Sequence, residues 1–371
     1  LPAVVGDGSL VRIDLAAYAI ESKSWESLIA DLEPVFHVRS QAVNPTTGKV
    51  ETVYTDAGHV GLEWAAALRQ MTGSTGAIVR ADWFIVRATS PPHYYSLAGV
   101  PDTLDGWYKS LGADAETIVK LRANKGANLF RSGVTHKPRR LTRWQGPLGG
   151  VWQTYDSEES RDVRKDPFRT PGFDGAADAG EHIATKANGL HLFGLYSLPD
   201  GKRQDAVPDR IAKDDSDPLA DGRLVASVSC IRCHIESGLR PFHNDMKAIL
   251  ARGVDLATTP EEADKLAAFY TTDKLERQLD RDREDYADAV LKATGGKLDA
   301  KKLPDAVARV VREYQYYQVD LATAKRELGG VAGLQRSSDP YILAIVTGHK
   351  INRAQWEGSY AEAAFLVGDG R

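Results

Sequence analysis

The apolar and polar positions change their period along the chain, and each change predicts an element. Residues 4–15 alternate apolar and polar side chains, the two-residue period of a strand. A short helix is expected over 25–32. Strands over 36–43 and 49–55 can pair across the turn Asn44-Pro45-Thr46-Thr47-Gly48. Residues 62–71 read as a helix, 77–86 as a buried strand, and 103–111 and 114–123 as helices. The stretch 141–156 fits either state, with Trp144 and Trp152 as core aromatics. Residues 157–179 are polar, contain Pro167, Pro171 and Gly172, and read as a long surface loop. A hairpin is expected next, with strands 189–198 and 203–211 around Pro199-Asp200-Gly201, then an Asp-rich loop over 212–222.

Beyond this point the period becomes helical. Thr259-Pro260-Glu261-Glu262 has the composition of a helix start, with an N-cap, a first-turn proline and acids behind it. Leu275, Leu279, Tyr286 and Val290 form a helical stripe. A long helix over 305–328 ends at Gly329-Gly330, and helices near 340–347 and 353–366 follow. No internal repeat is visible. The expected fold is α+β: a mixed strand and helix N-terminal half and a predominantly helical C-terminal half. The expected divisions are an N-terminal domain over 1–156, a loop-rich linker with a hairpin over 157–222, and a helical domain over 223–371.

Composition narrows the class. At 371 residues, with 42% hydrophobic and 26% charged side chains, the chain can build a proper core. Its formal charge is −4 with both signs interspersed, so nucleic acid is not an expected partner. The one basic run, Lys137-Pro138-Arg139-Arg140, reads as a solvated loop. No apolar run is long enough for a transmembrane segment. The chain starts at Leu1-Pro2 rather than Met and reads as one that has lost a leader.

Both cysteines fall within five positions, Cys230-Ile231-Arg232-Cys233-His234. Three chemistries compete for this pattern. Zinc needs four ligands, and the next histidine, His243, lies too far on for finger spacing. A redox dithiol would have no use for the adjacent histidine. The Cys-x-x-Cys-His run is the attachment signature of a c-type haem. Each thiol adds across one vinyl group, and His234 supplies the proximal iron ligand. Two cysteines serve one haem, so the expectation is a mono-haem protein whose haem c is borne by the helical C-terminal domain over 223–371.

Around this motif the chain resembles a family of large, exported, mono-haem c-type cytochromes, mostly uncharacterised, from planctomycete-like bacteria. The resemblance rests on Arg80-Ala81-Asp82-Trp83-Phe84, Pro92-His93-Tyr94-Tyr95, Ser132-Gly133-Val134, residues 152–156, Asn188-Gly189-Leu190 and residues 229–238. The family tends to read Leu-Pro-Asn-Gly-Leu-Gln where this chain has Lys186-Ala187-Asn188-Gly189-Leu190-His191. The resemblance implies export to the periplasm or cell surface and carries no activity with it.

Function turns on the sixth coordination position of the iron. A Met or His there suits electron transfer with redox partner proteins, which is the default reading. The alternative is a peroxidase-like haem enzyme or a gas or redox sensor with an open distal site. His191 and Met246 are the distal candidates. Met246 also fits simple core packing, as does Met71. His182 and His191 flank a strand and cannot both point at the iron. His93 reads as buried packing beside Tyr94 and Tyr95 that could also line a distal pocket, and His37, His59, His136 and His349 as loop or surface residues. For an enzyme, Arg80, Arg87, Arg131, Arg139 and Arg143 are available as distal partners, but nothing in the sequence aims them.

Overall fold

The structure is a computed structural model. It describes residues 3–5, 10–18, 20–30, 37–43, 50–56, 79–113, 125–158, 162–171, 176–214, 222–234, 237–254, 256–257, 259–271, 274–299, 301 and 306–369. The helices expected over 62–71 and 114–123, the turn 44–48, His59 and Met71 lie outside these residues. The chain divides into two compact units. One combines residues 1–87 with 312–371, and the other is the continuous segment 88–311. The mixture of helices with antiparallel sheet makes the fold α+β.

The first unit opens with a small hairpin, β1 (Ala3–Val5) and β2 (Leu10–Arg12), where one strand was expected. Helix α1 (Ser22–Ala30) follows. Strands β3 (His37–Val43) and β4 (Val50–Asp56) then pair antiparallel, as the pattern predicted. Helix α2 (Ala81–Ala88) replaces the strand expected over 77–86. Its apolar run buries Trp83 and Val86 at helical spacing, and Asp82 sits in its acid-favouring first turn. A run of apolar residues this short does not separate a buried strand from a helix.

The second unit begins with α3 (His93–Ala98) and α4 (Leu104–Ser110), the latter capped by Thr103, which accepts from Gly106 N at 3.1 Å. Its centre is a five-stranded antiparallel sheet of β5 (Gly126–Leu129), β6 (Arg139–Gly146), β7 (Gly149–Tyr155), β8 (Ala179–Thr185) and β9 (His191–Ser197), paired in sequence order. The sheet crosses the boundary expected at residue 156. The stretch 141–156 is therefore a tight hairpin, and Trp144 and Trp152 are 5% and 4% exposed. The hairpin around 186–190 joins β8 to β9, whereas 203–211 form no strand and pair with the sheet at one Tyr196–Arg203 bridge, with Val207 and Ile211 in the core cluster beside it. The outer edge of β9, the last strand of the sheet, is open to this segment, but Pro208 has no N–H for a longer ladder.

Because strand side chains alternate, the registers sort the sheet into two faces. Trp144, Gln153, His182 and Tyr196 share one face, where Trp107 and Tyr108 of α4 pack edge-on against His182. Leu129, Arg139, Leu141, Trp152, Thr154, Glu181, Ile183 and Leu195 share the other. Helices α5 (Val228–Cys233), α6 (Asp245–Ala251), α7 (Pro260–Tyr270) and α8 (Lys274–Ala293) follow the sheet. The start of α7 is the one expected, with Thr259 Oγ1 accepting from Glu262 N. The stripe on α8 buries Leu275, Leu279 and Val290 together with Asp282.

Helix α9 (Ala306–Tyr316) leads back to the first unit. The single helix expected over 305–328 breaks at residue 317. There β10 (Gln318–Val319) pairs with β11 (Ile351–Asn352), and Asp320 caps a new helix, α10 (Leu321–Leu328), accepting from Thr323 N at 2.9 Å. Helices α11 (Pro340–Val346) and α12 (Arg353–Asp369) close the chain. Trp356, Ile342, Ile345 and Leu334 form this unit's core. Glu327 ties it together, accepting from Trp356 Nε1 and Arg353 Nη1 at 2.8 Å and pairing with Arg80 at 2.9 Å. That gives Arg80 and Asp82 of the Arg80–Phe84 motif a structural role.

Candidate functional site

Helix α5 is only six residues long, and its brevity sets the site. Ser227 precedes it at φ +63°, outside helical geometry, and His234 ends it, donating its N–H to Cys230 O at 2.8 Å. Cys230, Cys233 and His234 stand at positions i, i+3 and i+4, so one helix face carries all three. Between them Arg232 points elsewhere and pairs with Asp214 at 3.2 Å, both side chains 6% exposed. That buried pair anchors the helix, and Cys230 and Ile231 pack against the large core cluster around Trp107 and Tyr196.

All three motif side chains line one cleft of about 360 Å³, within the roughly 300–1,000 Å³ of sites that hold organic ligands. Its floor is the second sheet face: Leu129 on β5, Leu141 on β6, Trp152 on β7, Ile183 on β8 and Leu195 on β9. Leu239, Pro241, Phe242 and Leu279 add further apolar wall. Ser132, Gly133 and Val134 line it too, with exposed Arg131 and Arg240. Three segments that carry the family resemblance, 132–134, 152–156 and 229–238, thus contribute to one cleft.

Burial sets the protonation of the motif. It pushes the Cys230 and Cys233 thiols up, so both are neutral, and neither is in a disulfide. A dithiol oxidoreductase needs the opposite shift. Burial, with nearby Arg240 acting the same way, lowers His234 to about 4 and keeps its imidazole neutral, the form that binds a metal. Among the described residues no group of three or more His, Cys, Asp or Glu is arranged to hold a metal ion, so a zinc site built from protein ligands alone has no support.

A haem c fits these residues. An apolar sheet face beside a helix edge carrying two neutral thiols and a neutral imidazole has the chemistry to take a macrocycle with two vinyl groups and an iron. Nδ1 of His234 is buried without a hydrogen-bond partner. Gly238 faces His234 and His191 through its main chain, yet no bond of normal length reaches Nδ1 of either.

The two distal candidates do not line the cleft. His191 starts β9 on the cleft side of the sheet, but its ring stacks on Tyr286 at 4.3 Å and meets Phe193 edge-on. Gly238 closes it off: a Cβ there would lie 2.6 Å from the ring. Met246 is fully buried on α6 among Leu266, Phe269 and Tyr270, the packing role already open to it. His182 lies on the far sheet face, and His93 is buried away from the cleft lining. His243 does line the cleft, with a side chain 77% exposed and 3.6 Å from Asp245.

Sequence reasoning misread one group here. Arg139 and Arg140, expected in a solvated loop, are 7% and 5% exposed on β6. Arg140 donates to Thr170 O at 2.7 Å. Arg139 reaches the cleft, gripping both oxygens of Asp156 at 2.7 Å. Beside them on the floor stands Glu181, its Oε1 3.5 Å from Arg139 Nη2. The alternation Glu181-His182-Ile183 holds the signal that places Glu181 with Ile183 on the apolar face, once those residues are read as a strand.

Compared with known proteins, the chain matches no family model, no curated protein and no solved structure.

Proposed function

We propose that the chain is an exported, mono-haem c-type cytochrome that passes electrons between partner proteins. The observation that carries this reading is the convergence of Cys230, Cys233 and His234 from one helix face into one apolar cleft. Cys230 and Cys233 would hold the porphyrin through their sulfurs, and His234 would hold the iron through Nε2. A haem in that cleft supplies a one-electron couple. The sheet floor and Phe242 would set apolar side chains against it, and low polarity around an iron is one of the levers by which a protein sets its potential. Attachment of haem c takes place outside the cytoplasm, which is the ground for assigning the protein to the periplasm or cell surface, in line with the family resemblance.

One observation favours the second reading, a haem enzyme or sensor. Among the described residues lining the cleft there is no Met, and the one imidazole besides His234 is the exposed His243. An iron without a strong sixth ligand is open to small molecules.

Absorption spectra of the purified protein, oxidised, reduced and reduced under carbon monoxide, test both. A reduced spectrum unmoved by carbon monoxide supports electron transfer. A prompt Soret shift means an accessible iron and transfers the assignment to enzyme or sensor chemistry. Absence of haem bands after expression with a haem-attachment system overturns both readings.

A further inference from the structure

Arg139 Nη2, the nitrogen nearest Glu181, already has both of its N–H groups engaged elsewhere. Arg139 Nε and Nη2 hold the two oxygens of Asp156 at 2.7 Å, Nη1 donates to Ser132 Oγ at 3.1 Å, and Nη2 also leans on Thr154 Oγ1 at 3.3 Å. Glu181 Oε1 is left 3.5 Å from Nη2, a far weaker contact than the 2.7 Å bonds that Asp156 receives. One guanidinium therefore faces two carboxylates, and Asp156 has taken it. With both carboxylates ionised the group carries one surplus negative charge on an apolar floor, and partial burial disfavours that charge. Burial first, and then the Asp156 charge, raise its pKa against the opposing pull of Arg139.

We propose that Glu181 is a proton-binding site coupled to electron entry into the cleft: one proton adds to Glu181 Oε2 when one electron is taken up. This rests on the haem reading above. The electron comes from a reduced one-electron carrier and the proton from water through the open cleft, into which the side chain is 24% exposed. One O–H bond forms, no other bond changes, and the charge added by the electron is cancelled. Oε2 is the oxygen turned from Arg139, so protonation there leaves the Arg139–Asp156 pair intact.

The groups facing Glu181 are Arg139 on β6, Asp156 just beyond β7 and the Cys230 and Cys233 sulfurs of α5. Its partner across the sheet, Leu195, carries no charge. Sulfurs bonded to the porphyrin no longer titrate, and Arg139 and Asp156 stay charged as a pair. The porphyrin's own propionates are the remaining acids, and they are the same in any Glu181 variant.

The test is a potentiometric titration of the haem-loaded protein and its E181Q variant from pH 5 to 9, after a haem-stained denaturing gel shows covalent haem in both. The wild type should lose potential with rising pH at a slope approaching about 59 mV per unit, the value for one proton per electron. E181Q should keep only the shallower slope that the propionates give over the same window. A flat wild type, or an equal slope in E181Q, overturns the proposal while leaving the haem reading standing. Lack of haem in the wild type overturns the haem reading and the proposal together. Should E181Q alone fail to load, infrared difference spectra of the wild type decide: reduction must raise a protonated-carboxyl band that moves on isotopic labelling of glutamate. Its absence overturns the proposal.

Discussion

Asp282 on α8 receives Arg143 Nε and Nη2 from β6, both at 2.9 Å, and both side chains are buried, at 6% and 4% exposed. Trp152 Nε1 donates to the same carboxylate at 2.7 Å. This network holds α8, and with it Leu279, over the cleft. Removing one member of a buried pair strands the other charge, at a cost of about 3–5 kcal/mol. Asp282→Ala should therefore lower the free energy of unfolding by about that amount, read from urea denaturation. A loss below about 1 kcal/mol, the value of an exposed pair, would mean that water reaches the contact.

Gly238 follows the motif at φ +71°. A Cβ there would stand 2.6 Å from His191 and 2.8 Å from Tyr286, so Gly238→Ala adds a clash to left-handed backbone strain of about 1–2 kcal/mol. Both the thermal midpoint and the loading of haem should fall. A variant with unchanged melting would show that the His191–Tyr286 stack yields without cost.

The motif residues should separate by role. Cys230→Ser or Cys233→Ser leaves one sulfur to hold the porphyrin, and the double variant should lose haem from a stained denaturing gel. His234→Ala should keep covalent haem but lose the normal low-spin spectrum. An unchanged spectrum would show that another residue is the proximal ligand.

His191 links stability to pH. Burial first, and then the neighbouring His234, hold its pKa to about 3 in the fold, against about 6.5 in an unfolded chain. Between those values the unfolded state binds a proton that the folded state refuses. Stability from this group is complete above about pH 6.5 and declines as pH falls toward 3, by at most about 1.4 kcal/mol per unit. His191→Gln should flatten the dependence between pH 6.5 and 4 in denaturation midpoints taken across that range. An unaltered slope would assign the effect to other groups.

How much of this is legible in the sequence depends on how local each cause is. The start of α7 can be read because Thr259, Pro260 and Glu262 act within one turn, and the α8 stripe because its period is carried by the helix itself. The Cys-x-x-Cys-His spacing is local in the same sense. Arg139 and Arg140 look like a solvated run because their burial depends on Asp156 and Thr170, 17 and 30 residues further on. Residues 203–211 have strand-like composition, but they meet the open edge of β9 at the one Tyr196–Arg203 bridge, and Pro208 offers no N–H to extend it. The helix over 305–328 breaks because β11, more than 20 residues beyond, draws Gln318 and Val319 into pairing. Glu181 acquires its setting only when β6, β7 and β8 lie side by side.

The nested order of the two units bears on how the chain is made. Residues 88–311 form one uninterrupted stretch, whereas the other unit needs segments from both flanks, 1–87 and 312–371. Synthesis runs from the N-terminus, and domains tend to fold as units while it proceeds. The cysteine-bearing unit is therefore finished while its neighbour is still waiting for α10, α11 and α12. The later-born helices complete the unit that was begun first.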